Sequence, residues 1–290
     1  MNNSDDDIQK DMSTDELKEE LKAEKPQTDK SGDDAPLNAK EEAAEFFKTA
    51  MVAILLAVII RSLLFEPFNI PSGSMKPTLL VGDYLFVQKP AYGYSKYSFP
   101  FGMAPIEGRV FEKQPKRGDV VVFKLPSNTR VDYIKRVIGL PGDTVQVRRG
   151  RLYLNGKEVP REPVGFTKFE DEFLGEVTMM EYIQTLPDGT MFSIFEETDD
   201  EQLDNTQLFT VPEGHIFVMG DNRDNSQDSR ANHNAPVAVG FVPFENLVGR
   251  ADFTFFSTNG HARIYEIWKW PWSIRYNRMF GDIDPVRPKE

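Results

Sequence analysis

The chain contains no cysteine, which excludes disulfide scaffolds, thiolate zinc and iron–sulfur sites, and a thiol nucleophile. It leaves the redox compartment open. Histidine is nearly as scarce. His215, His233 and His261 lack the spacing of metal ligands, and each reads as an ordinary loop or edge residue. A G-x-S-x-G elbow, a P-loop, a G-x-G-x-x-G turn and an H-E-x-x-H helix are all missing. There is no basic excess either: the net charge is −12 over 290 residues, so no nucleic-acid partner is expected. Most of that acidity is local, because residues 1–48 hold 15 Asp and Glu against 7 Lys.

Residues 1–48 are polar and carry no aromatic before Phe46, too little apolar surface to offset the entropy of ordering. They read as a disordered cytosolic tail. Its only helical spacing is TDELKEELKA at 14–23, marginal in isolation. The run TAMVAILLAVIIRSLLF at 49–65 then reads as a transmembrane signal anchor, lengthened to a comfortable span by Phe46 and Phe47. Arg61 lies about one turn from its end, where the guanidinium reaches head-groups along its own stem. The competing readings are the buried helix of a soluble core and a cleaved leader. The leader fits poorly, since no Ala-x-Ala site follows in LFEPFNIPSGS. Lys40 and Lys48 on the near side lean toward an N-terminus in the cytosol.

From residue 66 onward, short β-branched and aromatic runs alternate with Gly, Pro, Asn and Asp. Examples are YLFVQ at 84–88, VVVFK at 120–124, 144–147, 152–154, 216–219 and 252–256. This predicts an all-β domain, with Asn155-Gly156, Asp188-Gly189 and Arg149-Gly150 as turns. Two stretches depart from that core: residues 92–114, expected as an exposed loop or ribbon, and the polar residues 158–210, expected as an inserted subdomain.

Three strings carry candidate chemistry. GDNRDNSQDSR at 220–230 is dense in carboxylates but fails the calcium-loop pattern, with Ser229 and Ala235 where Gly and Glu are required. It reads as a polar turn without metal, held by Asx bonds and Asp–Arg pairs. IPSGSMKPTL at 70–79 places two serines between prolines around Gly73, as presenting a nucleophile to a peptide demands, although most Pro-Ser-Gly loops are only loops. A serine needs a base, and with unpersuasive histidines a buried lysine is the alternative. Lys135 in DYIKRVIGLPGD qualifies. On a strand it shares a face with Tyr133 and points inward, while Ile134 and Arg136 take the other face and Arg136 stays exposed. The plain reading, a surface lysine on an edge strand, is the commoner fate of such a residue.

PSGSMKPTL after an apolar run, then RGDVVVF with YIKRVIGLPGD, then GDNRDNSQDSR with GFVPFENLVGRA, in this order, resemble the sequence boxes of bacterial type I signal peptidases over about residues 66–256. The resemblance implies a membrane-anchored signal-peptidase-like all-β fold with a second, smaller β-subdomain, preceded by one transmembrane helix. Residues 66–143 and 213–290 would be the catalytic core and 144–212 the insert. It implies an endopeptidase of the cytoplasmic membrane, catalytic domain outside, that removes signal peptides from secretory preproteins after small residues. By resemblance Ser74 is the nucleophile and Lys135 the general base. Ser72 lends its hydroxyl to the oxyanion hole, Ser226 orients the lysine amine, and Asp228 with Arg230 forms a supporting ion pair. Phe68, Ile70, Pro71, Met75, Tyr133 and Ile134 would line shallow pockets, and the preprotein would add as a strand beside Asp132, Tyr133 and Ile134. The loop 231–239 is longer than the family's usual one.

No metal or organic cofactor is needed by this chemistry. Membrane lipid is an expected partner through the span and through WKWPWSIRYNRMF at 268–280, where Trp268, Trp270, Trp272 and Tyr276 stand among Lys269, Arg275 and Arg278. A tryptophan cluster closing the β-core fits that segment equally well. Nothing in the sequence sets an oligomeric state. Two other functions compete: a self-cleaving repressor-like protein, which would need a DNA-binding helix-turn-helix, and a non-catalytic membrane-anchored β-module binding exported chains.

Overall fold

The computed structural model describes residues 39–99, 105–171, 175–231, 238–259, 262 and 264–287. The tail and its helical spacing at 14–23, His233, His261 and most of the loop 231–239 lie outside the described residues.

Helix α1 runs over Ala39–Leu63. Residues 39–48, expected in the disordered tail, are helical because they are mostly Ala, Glu and Lys, which extend a helix backward at little cost. The stop is encoded by Pro67, which pushes Glu66 into the extended region, so Phe65 opens a strand rather than ending the span. Glu42–Leu63 is long and apolar enough to cross a membrane, and its apolar window has no burial in the protein. A buried core helix is thereby excluded.

From Ala53 the chain folds as one compact unit. The main sheet uses β1 (Phe65–Asn69), β2 (Asp83–Gln88), β3 (Val120–Leu125) and β4 (Asn128–Gly139). Between β4 and the sheet's later strands lie β5 (Thr144–Arg148), β6 (Arg151–Leu154), β7 (Arg161–Asp171), β8 (Gly175–Thr185) and β9 (Met191–Glu196). β10 (His215–Met219) and β11 (Leu247–Ser257) complete the set. The main sheet has the order β1-β2-β11-β3-β4-β10, ending on Val242–Pro243, with Gly281–Asp282 added beside β11. β7-β8-β9 form a three-stranded sheet, and β5 and β6 lie between Phe209–Thr210 and Lys157–Glu158 in a four-stranded one.

Arg149 and Gly150 join β5 to β6 with both residues at positive φ, as a two-residue hairpin loop requires. The segment 92–114 is less exposed than its composition suggests. Tyr92, Ser95 and Ser98 are buried, and Tyr94–Ser95 pairs with Arg109–Val110. The Tyr92 hydroxyl donates to Asp119 at 2.8 Å.

β4 positions the site. Its first half is exposed, whereas Lys135 to Gly139 are buried on both faces. Val137 joins an apolar cluster with Val121, Phe123 and Ile216, while Ile138, on the opposite face, joins one built from Val145, Leu152, Leu154, Phe192 and Ile194. The second cluster covers the face that carries Arg136.

Candidate active site

Ser74 lies in the loop between β1 and β2, and Lys135 Nζ donates to its Oγ at 2.5 Å. Burial, the largest influence, pushes the amine down to about 8, against the opposing pull of Asp228 and Asp221, with Arg230 lowering it further. Tyr133 shares the face, its ring centroid 5.5 Å from the amine. Ser72 Oγ lies 3.5 Å from Ser74 Oγ and is exposed. The arrangement places a hydroxyl against an amine that is easily discharged near neutral pH, the requirement for activating a serine without histidine.

The loop is clamped from the far side by residues 220–222. Asn222 donates its backbone N–H to the Ser74 carbonyl at 3.1 Å and its side-chain amide to the Gly73 carbonyl at 3.1 Å. A side chain on Gly220 would come within 2.5 Å of the Ser74 carbonyl and 2.2 Å of Ser226 Oγ, so only glycine lets these groups converge. Ser226 Oγ is buried with no hydrogen-bond partner among the described residues, and the expected bond to Lys135 is not formed.

Asp228 and Arg230 form an ion pair at 2.9 Å with both side chains buried. Burial alone would raise the Asp228 carboxyl, but the Arg230 guanidinium and the Gly220 N–H hold it below the usual carboxylate range. Arg136, expected to be exposed, is fully buried. Its Nε and Nη2 donate to the two oxygens of Asp221 at 2.8 and 2.7 Å, its Nη2 to Thr78 at 3.1 Å, and it lies over the Phe192 ring. Thr78 in turn donates to Asp221 at 2.6 Å. One buried pair thus joins β4, the nucleophile loop and the 220–222 turn. Asp221, Arg136, Thr78, Gly220 and Asn222 were not singled out by sequence reasoning. A signal was present for Arg136, a charge inside a run that is apolar on both of its faces.

Among the expected pocket residues, Ile70 and Met75 are buried in one cluster, with Phe68 and Ile134 packed against it. Tyr133 falls on the other face beside Phe123, and Pro71 is exposed. Asp132 pairs with Lys124 at 2.8 Å and, with Phe68, lines a cleft of about 720 Å³ that includes neither Ser74 nor Lys135. Among the described residues β1 pairs only with β2, and β4 meets β10 only from Arg136 onward. Each therefore keeps an edge without a ladder partner over the residues nearest the serine.

Two basic residues of the C-terminal segment turn inward. Arg275 and Arg278 both reach Asp83, which is fully buried, and Arg278 also donates to the Thr78 carbonyl at 2.9 Å. Trp268, Trp272 and Tyr276 stay exposed, while Trp270 packs on Phe256 with centroids 5.0 Å apart.

A serine hydroxyl held against a buried amine, on an all-β scaffold that follows an apolar helix, fits the class of membrane-anchored serine hydrolases. Residues 43–256 match the family described as signal peptidase, peptidase S26, and the chain belongs to that family. It is similar to the signal peptidase I of Rickettsia akari (strain Hartford), 40% identical over 268 residues, covering 87% of this chain and 97% of the relative. The signal peptidase I of Rickettsia typhi (strain ATCC VR-144 / Wilmington) is 43% identical over 263 residues, covering 84% and 94%. A signal peptidase I crystal structure from Enterococcus faecalis V583 shares 29% identity over 48% of this chain and 97% of that one, with a TM-score of 0.27, too slight an overlap to compare the folds. The chain is accordingly a membrane-anchored serine endopeptidase that acts on the signal peptides of secretory preproteins.

Proposed function

We propose that cleavage runs through Ser74 as nucleophile and Lys135 as general base. The observation that carries this is the 2.5 Å contact between Ser74 Oγ and a lysine amine whose burial brings it down to about 8. In the neutral form Nζ accepts the Ser74 proton as Oγ attacks the scissile carbonyl carbon. The resulting ammonium then protonates the departing amine, leaving an acyl-enzyme. The same amine draws a proton from the water that hydrolyses it. The Ser72 hydroxyl and the Ser74 N–H face the developing oxyanion. Asp228 with Arg230 fixes the turn that carries Ser226, whose hydroxyl, unengaged among the described residues, orients the amine only once it rotates into a bond that this structure does not contain.

The preprotein adds as a strand along the free edges of β1 and β4, beside Asp132, Tyr133 and Ile134. Small side chains near the cut enter pockets at Phe68, Ile70, Pro71, Met75 and Ile134, so cleavage follows Ala-x-Ala sequences. Residues 66–143 and 213–290 form the catalytic core and 144–212 the insert. The separation of the sheets supports this, since β5 to β9 lie in the three- and four-stranded sheets and not in the main one. The helix crosses the bacterial cytoplasmic membrane once, N-terminus inside, and the exposed aromatic residues Trp268, Trp272 and Tyr276 meet lipid at the outer face.

The test is cleavage of a preprotein whose leader ends in Ala-x-Ala by detergent-solubilised wild type, Ser74→Ala and Lys135→Ala, with folding checked by circular dichroism. Cleavage after the second Ala by wild type alone is expected. Cutting by either folded variant would remove the dyad.

A further inference from the structure

Three carboxylates outside the catalytic machinery converge on one point. Glu196 ends β9, Asp204 follows in the loop after it, and Asp224 sits two residues beyond Asn222. One oxygen from each lies within 4.8 Å of the others. Glu196 and Asp204 are 3% and 0% exposed. Glu196 Oε2, Asp204 Oδ1 and Asp224 Oδ1 are buried with no hydrogen-bond partner among the described residues. Like charges left this close and dry repel strongly unless something positive stands between them.

The second oxygen of each carboxylate is held by the protein. Arg161 Nη1 donates to Glu196 Oε1 at 2.6 Å, the Glu197 N–H to Asp224 Oδ2 at 2.6 Å, and the Glu201 N–H to Asp204 Oδ2 at 2.7 Å. One oxygen of each carboxylate is thereby left over for a further partner, the arrangement by which outer partners orient metal ligands.

We propose that Glu196, Asp204 and Asp224 bind a divalent cation, Ca²⁺, which ties the nucleophile-holding turn to the inserted sheets. An all-oxygen donor set suits a hard ion. Carboxylates drawn from three separated stretches of chain suit the irregular, flexible shell of Ca²⁺ better than the near-ideal octahedron that Mg²⁺ demands. A cleft of about 450 Å³ lined by Glu201, Asp224, Asn225 and Ser226 reaches the Asp224 side of the cluster. The site is unrelated to the calcium-loop pattern, which fails at this segment, because its ligands come from three separated stretches of chain. Its role is mechanical. Asp224 shares a turn with Asn222, which holds the Ser74 carbonyl, so an ion anchored on Glu196 and Asp204 stiffens that turn.

Full-length protein in detergent, stripped with EGTA, is titrated with CaCl₂ by calorimetry and melted with and without millimolar Ca²⁺ or Mg²⁺. One Ca²⁺ per chain is expected, with Tm rising by ~2–5 °C and a smaller rise with Mg²⁺. The isosteric Asp204→Asn should lose uptake and the calcium-dependent rise. Without calcium it should melt at or above the wild-type temperature, because a repulsion is gone. Should Asp204→Asn fail to fold, Asp224→Asn, which is partly exposed, carries the same expectation. No uptake by wild type at millimolar Ca²⁺, or full uptake by the folded variant, overturns the proposal. Peptidase activity is not the readout, so failure here leaves the Ser74–Lys135 mechanism untouched.

Discussion

If Lys135 is the base, the rate must follow the neutral fraction of a buried amine. Its ordinary value near 10.5 falls to about 8, chiefly because burial penalises the charged form. About a tenth of the amine is then neutral at pH 7 and about nine-tenths at pH 9, so kcat/KM should rise about tenfold across that interval and level off. A solvated lysine would give about a hundredfold rise with no plateau. The assay is cleavage of a preprotein in detergent at constant ionic strength from pH 6 to 10. Stability carries the same signature with a definite sign. Below pH 8 folded and unfolded chains are both protonated at this group, and the cost of burying the charge is complete. Between about 8 and 10.5 the unfolded chain holds a proton that the folded chain lacks, so stability rises by about 3 kcal/mol. Lys135→Met should be inactive, lack that rise and be more stable than wild type at pH 7 by up to the same amount. A profile flat from pH 6 to 9, or one still climbing tenfold per unit at pH 10, would refute the reasoning, as would residual cutting by the Met variant.

Gly220→Ala should reduce kcat by tenfold or more and cost about 1–3 kcal/mol of stability, because the new methyl meets the Ser74 carbonyl and Ser226. Kinetics and thermal melts on one preparation check it, and an unimpaired kcat would show that the turn does not position the serine. Asp221→Asn strips the charge partner from buried Arg136 and should cost about 3–5 kcal/mol in denaturant unfolding. A loss below 1 kcal/mol would mean the guanidinium is satisfied by Thr78 and by the Gly118 carbonyl, to which Arg136 Nη1 donates at 2.7 Å.

What the sequence by itself determined is local. An apolar run without internal charges until Arg61 is helical in any context, and its end is written by Pro67, whose ring forbids continuation. Short runs of β-branched and aromatic residues mark β2, β3, β5 and β10, and the two-residue turn Arg149-Gly150 fixes the β5–β6 hairpin. The two serines of the Pro-flanked loop and Lys135 in its apolar run are local patterns, while the choice of Ser74 over Ser72 came from the resemblance. The segment 161–185 was legible only as polar insert, because its long hairpin alternates with little hydrophobic contrast. Tertiary structure alone decided which face of β4 is covered. Arg136 looks like a solvent-facing neighbour of Lys135 until the sheet after residue 144 closes over it, and only then does its charge require Asp221. The same holds for Gly220, whose missing side chain matters because Ser74 and Ser226 meet there, and for Glu196, Asp204 and Asp224, which converge only through packing. Periodicity and turn chemistry act over a few residues. Burial, close approach and charge balance are set by elements distant in the chain, and the separation of 61 positions from Ser74 to Lys135 is spanned only when the sheet forms.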